Sequence, residues 1–411
     1  MYSGPILPLD AATAGVRRGE ISILMATRAR PEMLAEELDT LQANTRQKDK
    51  LAVWLYVDND DTVTREAVDG GRFSNFDFRV NWHYGPRPPA LGQAHQALWN
   101  ASGRASEVYM ISCDDARFDT PGWDDVVRRE FEQHSDGVLL GFAQDPNAEQ
   151  ATYPFIGWGM LQVLGYEKVF PGIFAFWFDD KWVEQIAQLA GRCVSIPMII
   201  NPIGGGKGKT QRMRCVPFWT RFFQLLMPER RACAEQLLNA MYVNDPQARA
   251  AAFKELEAVW NHLVRDEEKS FSDLYCVFQE ERHTALSPED RDRFNPLYIR
   301  QEVMAVTRLL SHAERLIKEN KPDEALKYVE ATQLADLRLR QAQDMKISCL
   351  RALNRGAEAD ELEREKFLSW PEMSAARRLF RFLGMIANEV RRIVAARSRK
   401  RTAASGLPPL L

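Results

Sequence analysis

Three short apolar runs constrain this chain most. Each closes on polar or acidic residues, and helix-patterned sequence separates one from the next. Ile21 to Ala26 is β-prone and leads to Thr27 and Arg30. Leu51 to Val57 stops at Asp58-Asn59-Asp60-Asp61, and Val108 to Ser112 runs into Asp114-Asp115. Between them, Met33, Leu34, Leu38 and Leu41 follow helical spacing, and Leu91 to Trp99 reads as a second helix. Strands alternating with helices predict an α/β fold with a largely parallel sheet. Such sheets receive ligands outside the carboxyl ends of their strands, which is where the carboxylates gather here.

The chain has 411 residues, 45% hydrophobic and 27% charged, enough to form a core without disulfide or metal staples. No apolar run approaches the ~20 residues of a membrane span. The first residues lack the basic-then-apolar pattern of a secretory signal. Six cysteines (Cys113, Cys193, Cys215, Cys233, Cys276, Cys349) show no C-x-x-C spacing, so a cytoplasmic protein with reduced thiols is expected. Neither zinc-ligand spacing nor a G-x-S-x-G elbow is present. The net charge of −3 is uneven: from Ser374 to Ala403, nine basic residues stand against one acid.

From Pro217 onward the sequence is helix-forming with few β-branched runs. Asn320 to Ala325 and Asn354 to Ala359 are turns 34 residues apart, the tetratricopeptide period, with about two units visible; an arbitrary helical bundle reads equally well. The expected organisation is an N-terminal extension over 1–19, the α/β domain over 20–216 and a helical region over 217–298. Tetratricopeptide-like hairpins over 299–370, open to a protein partner, and a basic amphipathic helix and tail over 371–411 follow. In that tail Leu379, Phe382, Leu383, Ile386, Val390 and Ile393 share one helical face with arginines around it. This fits an anionic membrane surface, or a helix packed on its own domain. No aromatic-interleaved basic patch points to nucleic acid.

Several constellations can carry chemistry. Asp114-Asp115 at a strand end can hold Mg²⁺ or Mn²⁺ alongside phosphate oxygens, or can be an acidic turn. Asp58 can accept a hydrogen bond from a base ring nitrogen, while Thr27 and Arg30 stand where a phosphate or base can lie. Asp179-Asp180 follows a dense aromatic stretch and offers a base for a hydroxyl; Asp180 equally reads as the cap of a helix over Lys181–Leu189. Tyr153, Trp158 and Trp177 offer ring faces to a sugar, or belong to the core. Gly208-Lys209-Thr210 ends like a P-loop, but Ile203 occupies the place of its first glycine and Pro217 interrupts the helix that should follow. Lys207 and Lys209 then read as a flexible loop for a diphosphate, or as surface.

Together these segments resemble the GT-A-fold, family-2-like glycosyltransferases over about residues 20–210. Ile21 to Leu34 resembles that group's first strand and helix, and Val57 to Asp61 its acidic second-strand end. Tyr84 to Arg87 with Gly92 resembles its nucleotide-flanking segment. Ile111 to Phe118 resembles its DXD-type metal motif, and Phe178 to Trp182 the segment supplying the base. The resemblance implies a Rossmann-like GT-A domain followed by an all-α region, a nucleotide-diphosphate sugar donor, a divalent cation (Mn²⁺ or Mg²⁺) and inversion at the anomeric carbon. It implies Asp115 and Asp114 at the metal, with Thr27, Arg30, Asp58, Arg87, Gly92, Asp114, Lys207 and Lys209 around the donor. Asp180 comes first and Asp179 second as base. Three positions depart from the pattern: Arg28 replaces an aromatic, Cys113 replaces the motif's first Asp, and Asn201 to Gly204 lacks the His many relatives carry.

The expected function is an inverting glycosyltransferase acting on a carbohydrate or lipid-linked acceptor, cytoplasmic or peripheral on the inner membrane face, in surface polysaccharide or glycolipid assembly. The alternative is a non-catalytic helical scaffold with a degenerate GT-A domain.

Overall fold

The computed structural model describes residues 15–144, 151–174, 178–203, 216–280, 288–335 and 339–369, without the side chains of 216, 267–280, 288–299 and 366–369. The strands are β1 (Arg17–Thr27), β2 (Leu51–Asp58), β3 (Arg79–Gly85), β4 (Ser106–Cys113), β5 (Ala116–Phe118), β6 (Leu140–Gln144), β7 (Pro154–Gly157) and β8 (Cys193–Pro202). Interleaved with them are α1 (Pro31–Asn44), α2 (Thr62–Asp69), α3 (Leu91–Ala101), α4 (Trp123–Glu132), α5 (Trp158–Leu164), α6 (Tyr166–Val169) and α7 (Asp179–Leu189). Seven helices follow: α8 (Val216–Leu225), α9 (Met227–Met241), α10 (Pro246–Glu280), α11 (Pro288–Lys318), α12 (Pro322–Thr332), α13 (Arg340–Ala352) and α14 (Gly356–Ser369). The expected α/β region followed by an all-helical region is therefore present.

The sheet order is β3-β2-β1-β4-β7-β6-β8-β5. β3, β2, β1 and β4 are mutually parallel as expected, and β6 and β8 are also parallel. The β4–β7, β7–β6 and β8–β5 pairs are antiparallel, so the sheet as a whole is mixed. β1 is apolar in succession because both its faces are covered: Ile21, Ile23, Leu24 and Met25 are all fully buried. Helix α1 starts on Pro31, whose fixed φ and missing N–H suit a first turn. It lays Leu34, Leu38 and Leu41 into the core, each side chain contributing about 2 kcal/mol of burial. Pro217, expected to interrupt a helix, instead lies in the first turn of α8, where its missing N–H has no partner to lose.

Register is what builds a site from these strands. Thr27 pairs with Val57, Asp58 with Gly85 and Ala26 with Cys113. The carboxyl ends of four parallel strands are thus level, and the residues following each emerge along one edge.

A first compact unit runs to Ala313 and takes in residues 330–335; a second comprises Glu314–Val329 and the chain from Leu339. In the second, two helix ends close alike. Asn320 and Asn354 both take a left-handed φ of 59°. The following amides, Lys321 and Arg355, donate to Leu316 O and Leu350 O at 2.9 and 2.8 Å, the six-to-one bond of a Schellman closure. The same backbone chemistry therefore recurs at the 34-residue interval seen in the sequence. No helix among the described residues is long and apolar enough to cross a membrane. The basic segment over 371–411 lies outside the described residues.

Candidate active site

The link from β1 to α1 is held by carboxylates from the neighbouring strand ends. Ala29 has a φ of 50°, and its N–H donates to Asp61 Oδ2 at 2.8 Å. Asp61 Oδ1 in turn accepts from Thr64 N and caps α2. Arg28 donates through Nη1 to Asp58 Oδ2 at 2.6 Å and through both terminal nitrogens to Asp60 at 2.7 and 3.0 Å. Burial pushes the Asp58 carboxyl above its usual range, opposed by Arg28 and, less strongly, by the charge of Arg87. Arg87 from the β3 end and Asp58 from the β2 end thus share one neighbourhood.

Asp114 is clamped. Thr27 Oγ1 donates to its Oδ2 at 2.7 Å, Arg30 Nε donates to the same oxygen at 3.2 Å, and Arg30 Nη2 donates to Oδ1. Its side chain is 0% exposed, whereas that of Asp115 is 30% exposed, with Oδ2 4.0 Å from Arg30 Nη1. Burial drives the Asp114 carboxyl up to about 6 against the pull of Arg30 and Thr27, and it raises Asp115 as well. The Cys113 thiol is pushed well up by burial, with Asp115 and Asp114 adding, and so stays a neutral, soft group. Ile203 N donates to Asp115 O at 2.6 Å, so the residue following β8 lies beside Asp115. Lys207 and Lys209 lie outside the described residues, as does Trp177.

Two supporting residues escaped the sequence analysis. Glu37 is fully buried; it accepts Ala116 N–H at 3.0 Å and the Ser112 hydroxyl at 3.3 Å, bracing the strand end and turn that carry Asp114 and Asp115. Burial raises its carboxyl well above the usual range, and Asp114 and Asp115 add to this. Its signal was an acid on the apolar stripe, three residues after Leu34. His95 is buried on α3, and its Nε2 lies 3.0 Å from Ser112 O, which fixes the neutral tautomer with the proton on Nε2. Burial depresses its pKa to about 4. Because the folded value lies below the unfolded one of about 6.5, this site's contribution is full above pH ~6.5. It is lost as pH falls towards 4, amounting to about 3 kcal/mol. Denaturant titrations at pH 7 and 4.5 should show that loss, reduced in His95→Gln; an identical pH slope in the variant would refute it.

Helix α7 starts at Asp179 and is preceded by Phe178 with a φ of 79°, a left-handed conformation unusual for a bulky residue. Asp180 is thus not the helix cap but its second residue, and its Oδ1 accepts Lys181 N–H at 2.8 Å. Asp179 Oδ1 has no hydrogen-bond partner, and burial, with Asp180 adding, drives this carboxyl well above its usual range. Gly92 explains itself here. A Cβ on it would lie 3.1 Å from Gly172 Cα and 3.4 Å from Asp179 Oδ2, so α3, Gly172 and Asp179 are in close contact. Gly92→Ala should destabilise the fold by about 1–3 kcal/mol, read as a lowered melting temperature; an unchanged one would contradict this contact.

The structure therefore assembles Thr27, Arg30, Asp58, Arg87, Asp114 and Asp115 along one sheet edge, and it brings Gly92 to Asp179. Tyr153 and Trp158 need correction as sugar platforms: they are 6% and 2% exposed, and Tyr153 belongs to the main core. Burial claims both rings, with the Arg18 guanidinium lying over the Trp158 ring.

The sequence matches no protein-family model and no curated protein. Among solved structures it is similar to S. aureus TarS 1-349 in complex with UDP-GlcNAc, at 12% identity and TM-score 0.44 over 86% of this chain and 93% of that one. It is also similar to the mannosyltransferase PcManGT from Pyrobaculum calidifontis in complex with GDP-Man and Mn²⁺, at 14% identity and TM-score 0.36 over 70% and 87%. A third is GalNAc-T7 with UDP, GalNAc and Mn²⁺, at 9% identity and TM-score 0.38 over 58% and 55%. Against the longer S. aureus TarS structure, the chain covers 44% of that protein's length.

Proposed function

We propose that the chain is a GT-A-type glycosyltransferase moving a sugar from a nucleotide diphosphate to a hydroxyl acceptor, with inversion. The observation that carries this reading is the level array of Thr27, Arg30, Asp58, Arg87, Asp114 and Asp115 at the ends of parallel strands. In this reading Asp58 and Arg87 face the nucleotide, and Arg30 faces the diphosphate. Asp179, whose buried Oδ1 has no hydrogen-bond partner, removes the acceptor proton in preference to Asp180. The acceptor oxygen then bonds to the anomeric carbon as the bond to the diphosphate breaks, the electron pair leaving with the phosphate.

Among the described residues no group of three His, Cys, Asp or Glu can hold a metal ion. Asp114 is fully engaged, Cys113 is neutral and soft, and Asp115 alone is open. A single carboxylate fits a hard cation that takes its other ligands from the diphosphate and water. When bound there, the cation offsets the leaving group's charge. The basic 371–411 segment supports a lipid-linked acceptor at an anionic surface.

The test is calorimetric titration of a nucleotide-sugar panel, including UDP-GlcNAc and GDP-Man, with and without Mn²⁺. One diphosphate sugar should bind, more tightly with Mn²⁺. A folded protein that binds none would favour the helical scaffold instead.

A further inference from the structure

Gly172, in the link leading to α7, joins three distant parts of the chain. Its carbonyl accepts from Gln93 Nε2 on α3 at 3.1 Å and from Gln301 Nε2 on α11 at 3.1 Å, and the same Gln301 nitrogen lies 3.4 Å from Ile173 O. The backbone here is specialised. Gly172 has a φ of 59°, a Cβ on it would meet Gln93 Cγ at 3.1 Å, and its own Cα packs where Gly92 would carry a Cβ. That same point is 3.4 Å from Asp179 Oδ2. A short path of contacts therefore runs from Gln301 through Gly172 and Gly92 to the Asp179 carboxylate.

The far side of the link is fixed as well. Phe174 is fully buried against Phe178 and Trp182, and against Trp219, Phe222 and Phe223 of α8, with ring centroids 5.8 to 6.3 Å apart. Phe178, stacked on Phe223 at 4.9 Å, holds the left-handed backbone immediately before Asp179. Such a conformation is strained and persists only where the surroundings determine it.

Gln301 is a poor choice for packing alone. It is 0% exposed and its Oε1 has no partner. A buried unpaired acceptor carries a desolvation cost that an apolar side chain of the same length avoids. What the amide supplies is the N–H fork on the Gly172 and Ile173 carbonyls.

We propose that Gln301 is a positioning residue which, through Gly172, sets the Asp179 carboxylate against the start of α3, so that the helical half of the chain takes part in the transfer step. The catalytic part of this rests on the glycosyltransferase reading with Asp179 as base; the positioning part does not. Among the described residues, the titratable groups acting on Asp179 are Asp180 on its own helix and Tyr166 of α6.

The test uses the full chain carrying Gln301→Met, which keeps length and removes the N–H donors, with Gln93→Met and the double variant. Two readouts are taken: steady-state kinetics, and the pH midpoint of carbodiimide labelling at Asp179 followed by peptide mass spectrometry. Gln301→Met should lower kcat by about tenfold or more and leave the donor KM within about twofold. It should also move the labelling midpoint by about half a pH unit or more. The double variant should fall short of the product of the single effects, because both glutamines act on one carbonyl. A folded Gln301→Met with wild-type kcat and midpoint overturns the proposal, as does a loss confined to donor KM. A shifted midpoint in a protein without transferase activity would uphold the positioning and remove the transferase reading. If Gln301→Met does not fold, Gln301→Glu, of the same shape and without N–H donors, takes its place under the same criteria.

Discussion

Asp115→Ala is expected to lower glycosyl transfer about 100-fold or more, the scale of removing about 3 kcal/mol of charge stabilisation from the transition state, while barely changing the melting temperature. Asp114→Ala should do the reverse in emphasis, and the contrast is the informative part. Asp115 is the exposed member of the pair, and among the described residues its nearest cation, Arg30 Nη1, is 4.0 Å away. Among those residues its removal breaks no short ion pair. Asp114 accepts from Thr27 and from two nitrogens of Arg30 with its side chain wholly buried. Truncating it strands those donors and costs about 3 kcal/mol or more of stability. Turnover and thermal unfolding measured on both variants decide the matter. Equal destabilisation by both, or full activity in Asp115→Ala, would remove Asp115 from the donor site.

The second large effect is expected at the start of α7. Asp179→Asn should reduce kcat about 10²–10⁴-fold, the range for loss of a general base, and Asp180→Asn should reduce it less. Asp179 keeps a buried, unpaired Oδ1, while Asp180 has committed Oδ1 to Lys181 N–H. Burial raises the Asp179 carboxyl, with Asp180 adding. The base must be ionised to act, so the rate should climb with pH on a limb above the ordinary carboxylate range. That limb should vanish in Asp179→Asn. A larger loss from Asp180→Asn would restore the order implied by the family resemblance.

Much of this arrangement was legible in the sequence. The apolar runs of β1, β2 and β4 are buried on both faces, so they stand out as unbroken β-prone stretches, and their acidic ends mark the sheet edge. The short strands of the antiparallel pairs were not legible, because β5 and β7 are three and four residues long, too short for periodicity to register. Glu37 and His95 were missed for the same physical reason that they matter. Each is a polar residue on an apolar helical face, paired with groups brought close only by folding. Tyr153 and Trp158 erred in the other direction: aromatic density is shared by cores and sugar platforms, and here burial decided for the core. The proposed order of Asp179 before Asp180 rests on hydrogen bonds that neighbouring positions in a sequence cannot distinguish.

The matched closures at Asn320 and Asn354 have a consequence for how such a chain can change over evolutionary time. Each helix ends with an asparagine in the left-handed region and the same backbone bond, at a constant interval. An insertion or deletion of one whole interval begins and ends on equivalent geometry, so no new turn has to be invented at the splice. A change in length by one whole interval would therefore keep both closures at Asn320 and Asn354 intact.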